Sequence, residues 1–208
     1  MMKKEKPSLE SRKLSKKELA IILSKLLPIK NPKYELEQYQ TPSEIAADIA
    51  WAIPIGDEIA DLGSGNGILG LALALVGWNK VYLIEKDPEQ EEILYKNKEL
   101  LGLNNVEILI KDVGDLELNI ENVIANPPFG HNSNEYRKFF HFIEKNKPKT
   151  VYLLWEESQY KKLKKLKDYD IKIIKRYQFP IKPIYFFHTK KKHYINVLFL
   201  KGDLREQI

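Results

Sequence analysis

No cysteine occurs among the 208 residues. Disulfide bonds and thiolate metal ligands are therefore excluded, and the absence suits a reducing compartment. No apolar run approaches the roughly 20 residues that a membrane-crossing helix needs. The opening residues, Met1-Met2-Lys3-Lys4-Glu5-Lys6, are charged and contain no hydrophobic signal core. We therefore expect a cytoplasmic protein with no export and no membrane attachment. Histidine is scarce: His131, His141, His188 and His193 have no spacing that demands a metal site, and no metal is expected. Low-complexity linkers and internal repeats are also missing.

Acidic charge is lacking in two stretches and abundant in a third. Residues 1–30 carry nine Lys/Arg against three Asp/Glu, and residues 137–192 carry seventeen against five. Residues 31–136 carry six against nineteen. Such segregation is the electrostatic footprint of nucleic-acid contact. With 43% hydrophobic and 30% charged residues, the chain has the composition of a globular protein long enough to bury one core.

Strand and helix patterns alternate from Ile59 onward, which predicts an α/β fold with a parallel sheet and crossover helices. The expected strands are Ile59 to Asp61, Val81 to Ile84, Val106 to Ile110, Val123 to Ala125 and Val151 to Leu154. Ile171 to Tyr177 and Tyr194 to Leu200 are expected to follow as an antiparallel pair. Expected helices are Ser15 to Leu27, Pro42 to Ala52 with Thr41 as cap, Ile68 to Val76, Pro88 to Leu101, Asn134 to Lys145, and a short basic one from Ser158 to Lys167. Gly102 reads as a helix stop. Phe179 to Lys192, rich in aromatic and basic residues and holding Pro180 and Pro183, reads as irregular.

Two motifs carry chemistry. The turn Asp61-Leu62-Gly63-Ser64-Gly65-Asn66-Gly67 joins the first strand to a helix, and its glycines Gly63, Gly65 and Gly67 let backbone turn tightly beside a ligand. Glu85 ends the second strand, where a carboxylate can take both hydroxyls of a ribose; Asp87 competes for that role. Asp112 ends the third strand, placed to accept from an adenine amino group. This is the outline of a pocket for an adenosyl cofactor, S-adenosylmethionine.

The second motif is Asn126-Pro127-Pro128-Phe129, directly after the strand Val123 to Ala125. A conjugated amine is a poor nucleophile because its lone pair is delocalised. The Asn126 carboxamide oxygen and the Pro127 carbonyl can each accept one amine hydrogen, orienting the nitrogen towards a methyl donor. Pro127 and Pro128 hold these acceptors in place, and Phe129 offers a flat face for a base. By itself the motif does not separate adenine N6 from cytosine N4, guanine N2 or a glutamine amide.

Four stretches together resemble a known family: Leu36-Glu37-Gln38-Tyr39-Gln40-Thr41, Asp61 to Gly67, Asn126 to Gly130, and Phe179 to Lys192 with its Phe187-His188-x-Lys190-Lys191 run. They are similar to the small adenine-N6 ribosomal-RNA methyltransferases shared by archaea and eukaryotes, the group of the human methyltransferase-like protein five. The likeness spans nearly everything after residue 30. It implies a Rossmann-like class I methyltransferase domain over 31–208, preceded by a basic N-terminal extension with a helix over 1–30. The sheet would be seven-stranded, mostly parallel with an antiparallel last strand and helices on both faces. It also implies that Gln38, Tyr39 and Thr41 border the S-adenosylmethionine site and that one adenosine in small-subunit ribosomal RNA is the substrate. A small zinc-binding activator subunit would dock on an exposed sheet edge. Phe187, His188, Lys190, Lys191 and Lys192 mix stacking rings with cations and are the expected RNA contacts. The alternatives are guanine-N2 methylation of RNA, glutamine-N5 methylation of a protein, and a non-catalytic RNA-binding scaffold.

Overall fold

A computed structural model describes residues 14–33, 36–129, 134–181 and 193–206 of the chain. The strands are β1 Glu58–Leu62, β2 Lys80–Glu85, β3 Val106–Ile110, β4 Asn122–Ala125, β5 Thr150–Glu156, β6 Tyr169–Ile181 and β7 His193–Leu204. They form one sheet in the order β3-β2-β1-β4-β5-β7-β6. The first five run parallel, and β7 inserts antiparallel between β5 and β6. This is the seven-stranded α/β sheet with a reversed last strand that was expected.

The centre of the sheet is made of apolar runs that suit burial on both faces. Ile59, Ala60 and Leu62 of β1 and Val123, Ile124 and Ala125 of β4 are completely buried. Helix α3, Ile68–Leu75, is apolar all round and correspondingly buried. Helix α5, Tyr136–Asn146, turns Tyr136, Phe139, Phe140 and Ile143 inward at helical spacing. Each such side chain contributes roughly 1.5–3 kcal/mol of burial. Helix α4, Glu91–Leu100, is led in by a 3-10 turn at Pro88–Gln90 and ends where expected. Gly102 there sits at φ 61, with its N–H bonded to the Glu99 carbonyl and that of Leu103 to Lys98.

Several boundaries differ from the sequence reading. Helix α1 spans Lys16–Leu23 and stops short of Leu27, because the chain turns there and the Leu27 N–H donates to Asn97 Oδ1 (2.7 Å) on α4. Its start is a capping box between Ser15 and Glu18. Helix α2, Ser43–Ala52, has no side-chain cap, since the Thr41 hydroxyl is used elsewhere. Helix α5 starts after Glu135 without a side-chain cap from Asn134. The basic stretch after β5 is a 3-10 helix over Glu157–Lys165. β6 continues through Phe179 and Pro180, which were expected to be irregular; Pro180 is tolerated because β6 is an edge strand.

The parallel register sets the site. Leu62 of β1 lies level with Ile84 of β2 and Ala125 of β4, while Glu85 pairs with Ile110 of β3. The residues that follow each strand, among them Gly63, Asp112 and Asn126, therefore emerge along one edge, where ligands of open α/β sheets bind.

Candidate active site

A cavity of about 790 Å³, open to solvent, lies over this edge. Gln38, Tyr39, Thr41, Asp61, Gly63, Gly65, Glu85, Asp112, Asn126 and Pro128 all line it. Gly67, Pro127 and Phe129 do not. Gly67 instead precedes α3 at φ 86, where an added Cβ would lie 3.0–3.1 Å from Leu94, Leu71 and Leu83.

The glycine turn is held by carboxylates. Asp61, fully buried, accepts the Gly70 N–H at 2.9 Å, and Glu85 accepts the N–H groups of Gly65 (2.7 Å) and Asp87 (2.9 Å). Burial pushes the Asp61 carboxyl up to about 7; the Gly70 N–H opposes this and the Glu85 charge adds to it. Burial raises Glu85 as well, against its N–H donors. Gly65 at φ 57 allows the turn without a side chain in the way of Ile29. The Ser64 hydroxyl is buried, and Ser64 lines the cavity; among the described residues the hydroxyl has no partner.

One wall is a strap, described over residues 27–33 and 36–41 and tied down at successive points. Asn97 and Asn66 donate to the Leu27 carbonyl. Gln90 exchanges two hydrogen bonds with the Lys30 backbone. Asp87 accepts from Lys33 Nζ (2.7 Å) and from Gln38 Nε2 (3.1 Å), and also from Gln90 Nε2 (3.1 Å). Burial would raise the Asp87 carboxyl, but these donors outweigh it and hold it at about 2. Of the two acids after β2, Glu85 thus faces the cavity and Asp87 anchors the strap behind it. Glu37, at the strap's turn, lines the cavity with φ 46, a strained conformation for this residue.

The far end of the cavity is charged. Asp112 accepts from Gly114 N–H (2.8 Å) and Lys138 Nζ (2.7 Å), while Lys86 bonds Glu135 at 2.6 Å. Burial raises Asp112, yet Lys138 and Gly114 bring it below the usual carboxylate value. Lys86, Glu135 and Lys138 carried no motif; only strand ends and the α5 start in three dimensions bring them here.

Asn126 stands between the strap and the sheet. Its Nδ2 donates to the Tyr39 carbonyl (3.3 Å) and to Thr41 Oγ1 (3.2 Å). Its Oδ1 is buried and has no partner among the described residues. Phe129 is 1% exposed: Tyr39 lies across it with ring centroids 6.4 Å apart and planes 12° from parallel, and Trp155 meets it edge-on at 6.0 Å. The flat face expected for a base is therefore buried, with Tyr39 stacked beside it on the cavity side. Phe187, His188, Lys190, Lys191 and Lys192 lie outside the described residues.

Comparison with known proteins places this geometry in a lineage. The Methyltransferase small domain model matches residues 48–149. The rRNA N(6)-adenosine-methyltransferase METTL5 of Danio rerio is 30% identical over 200 residues, which cover 89% of this chain and 97% of that protein. This chain belongs to the METTL5 family. The METTL5 counterpart of Drosophila melanogaster is 29% identical over 83% of this chain and 89% of its own length. A crystal structure of the Pyrococcus horikoshii protein PH1948 superposes with a TM-score of 0.75 at 29% identity, covering 92% of this chain and 98% of that one. All three likenesses cover more than four-fifths of this chain.

Proposed function

We propose that this chain methylates the N6 of an adenosine in small-subunit ribosomal RNA, using S-adenosylmethionine. Membership of the METTL5 family supports the reaction and the substrate class. The observation that carries the chemistry is Asn126: its amide nitrogen is fixed by Tyr39 and Thr41, which leaves a buried carboxamide oxygen with no donor to satisfy it. A buried acceptor of this kind costs stability unless a ligand supplies a hydrogen.

The residues present fit the cofactor. Glu85 has lone pairs left for ribose hydroxyls beside its two N–H donors, Asp112 is placed for an adenine amino group, and Ser64 offers an unused hydroxyl. Gly63 and Gly65 bring backbone to the cavity wall, and Gln38, Tyr39 and Thr41 close it. S-adenosylmethionine supplies an electrophilic methyl group. Asn126 Oδ1 and the Pro127 carbonyl accept the two amine hydrogens and so orient the nitrogen lone pair; Pro127 and Pro128 keep that turn rigid. Stacking of the target base on Phe129 requires the Tyr39 ring to move aside. The target is swung out of its stack to reach the pocket.

Beyond the described residues, Phe187, His188 and Lys190 to Lys192 are the proposed tail of RNA contacts. A small zinc-binding activator subunit is the proposed partner, and β3 and β6 are the open edges available to it. Among the described residues no helix is long and apolar enough to cross a membrane, and we place the protein in the cytosol.

The test is methylation of small-subunit ribosomal RNA with labelled S-adenosylmethionine, with and without a zinc-binding partner, followed by nucleoside mass spectrometry. Label in N6-methyladenosine is the expected result. Label in N2-methylguanosine would replace the base, and label in protein alone would replace the substrate class.

A further inference from the structure

The basic 3-10 helix Glu157–Lys165 sorts its charges in a way that an α-helix would not. With three residues per turn and about 2 Å rise, side chains three apart stand in line about 6 Å from one another. Three rows result. Leu163 and Leu166 point into the core, at 4% and 3% exposure. Lys162 and Lys165 lie over the Tyr136 ring, 4.7 and 5.6 Å from its centroid. Lys162 Nζ also donates to the Phe129 carbonyl at 3.0 Å, which ties the helix to the last residue of the Asn-Pro-Pro-Phe turn. Lys161 and Lys164 make the third row, and Lys167 follows in the turn just beyond the helix end; all three are exposed.

Among the described residues the side chains of these three lysines have no hydrogen bond or ion pair. Nearby cations are placed differently. Lys175 and Arg176 of β6 are paired with Asp48 and Glu157, Lys172 with Asp170, and Lys138 with Asp112 and Glu135. An unneutralised row of like charges repels itself, and a bound polyanion relieves that repulsion. The row follows β5, whose parallel register with β4 brings its carboxyl end beside the turn that ends at Phe129.

We propose that Lys161, Lys164 and Lys167 form a phosphate track for single-stranded RNA flanking the target base, with Lys162 fixing the track to the catalytic turn. The inference rests on the RNA-methyltransferase reading above. A base swung into the pocket needs a locally unpaired strand, and cations in line follow one backbone. The contacts are to phosphate, so the track positions the strand and carries no sequence preference.

The experiment is fluorescence anisotropy with a fluorescein-labelled single-stranded oligoribonucleotide at several potassium chloride concentrations. Three full-length proteins are compared: wild type, Lys161→Gln/Lys164→Gln, and Lys96→Gln/Lys98→Gln, a control with equal charge loss on α4, outside both basic stretches. Removal of two phosphate contacts should reduce the slope of log affinity against log salt by about 1.4, at about 0.7 per contact for single strands. The control should keep the wild-type slope. No wild-type binding, an unchanged slope in the Lys161/Lys164 variant, or an equal fall in the control would overturn the track. The slopes are read without turnover. A protein that binds along this row but labels no adenosine overturns the methylation reading alone; one that labels adenosine with an unchanged slope overturns the track alone.

Discussion

The Asn126 side chain is held at its nitrogen and left open at its oxygen. Replacing Asn126 by Ala removes that acceptor, and with it the two bonds to Tyr39 and Thr41, while leaving Glu85, Asp112 and the glycine turn untouched. Turnover should fall by about 10²–10³, the usual loss for one preorganised electrostatic contact, with cofactor affinity by calorimetry weakened no more than the roughly tenfold of a lost strap anchor. A loss of cofactor binding as large as the loss of turnover would sink the assigned role. Much of this site is legible in the sequence, because strand ends followed by Gly, Glu, Asp and Asn point to one edge of the sheet once the strands are parallel. What is not legible is the division of labour between neighbours. Glu85 and Asp87 are two residues apart, so only the exit angle after β2 decides which of them faces the cavity. Thr41 reads as a helix cap, but the Asn126 amide takes its hydroxyl. Phe129 reads as an exposed platform, yet Tyr39, ninety residues away in sequence, lies over it.

At the scale of elements, α3 and the strap make opposite demands. Gly70 of α3 is poor for a helix by about 1 kcal/mol relative to Ala. An added Cβ, however, would lie 2.2 Å from Leu83 Cδ2 and 3.2 Å from the Asp61 carboxylate that accepts the Gly70 N–H. Leu83 is fully buried and cannot step aside freely. Overpacking of about 1–3 kcal/mol outweighs the propensity gain, so Gly70→Ala should lower the urea midpoint; a higher midpoint would show that Leu83 yields. The strap depends on acceptors at Asp87. Asp87→Asn leaves the donors of Lys33, Gln38 and Gln90 short of partners, and cofactor affinity should weaken about tenfold although Asp87 does not line the cavity. Unchanged affinity would mean that the strap needs no anchor there. Pattern reading places these elements but mistakes their winding. Residues 158–167 suit an amphipathic α-helix equally well, and the 3-10 form follows from Leu163 and Leu166 reaching one core and the Lys162 amine reaching the Phe129 carbonyl.

Across the whole molecule, Asp48 on α2 joins distant parts of the chain. It accepts from Lys16 (2.7 Å), from Lys175 and from the Tyr177 hydroxyl (2.6 Å), so α1 and β6 meet on one carboxylate. Burial would raise it, but those three donors hold it at about 2, below an ordinary 3.8. A depressed carboxyl contributes stability that is present above the unfolded value and lost as pH falls through the folded one. The contribution is about 1–2 kcal/mol once solvent screening at the half-exposed Lys16 and Lys175 is allowed for. Asp61 works in the other direction: raised to about 7, it withdraws stability as pH climbs from 4 past 7. Urea midpoints should therefore peak near pH 4, falling on the acid side through Asp48 and between about pH 4 and 7 through Asp61. Asp48→Asn should flatten that acid limb, and an unaltered limb would remove Asp48 from the account. The sheet order belongs to this scale too. Local pattern shows seven strands, the last two paired, but not where the pair inserts, because that depends on contacts more than forty residues apart between β5 and β7.

That insertion reverses the order of manufacture. β6 is synthesised before β7, the one strand it pairs with among the described residues, and β5 waits for the same partner on its outer side. Until residues 193–204 leave the ribosome, a thirteen-residue strand carrying the exposed Ile173 and Ile174 has no ladder to join. Lys172, Lys175 and Arg176 around those isoleucines are the charges that keep such a waiting strand from pairing with its neighbours on a polysome. A premature stop after Ile181 deletes a single strand, leaves β6 unpaired and bares the outer edge of β5.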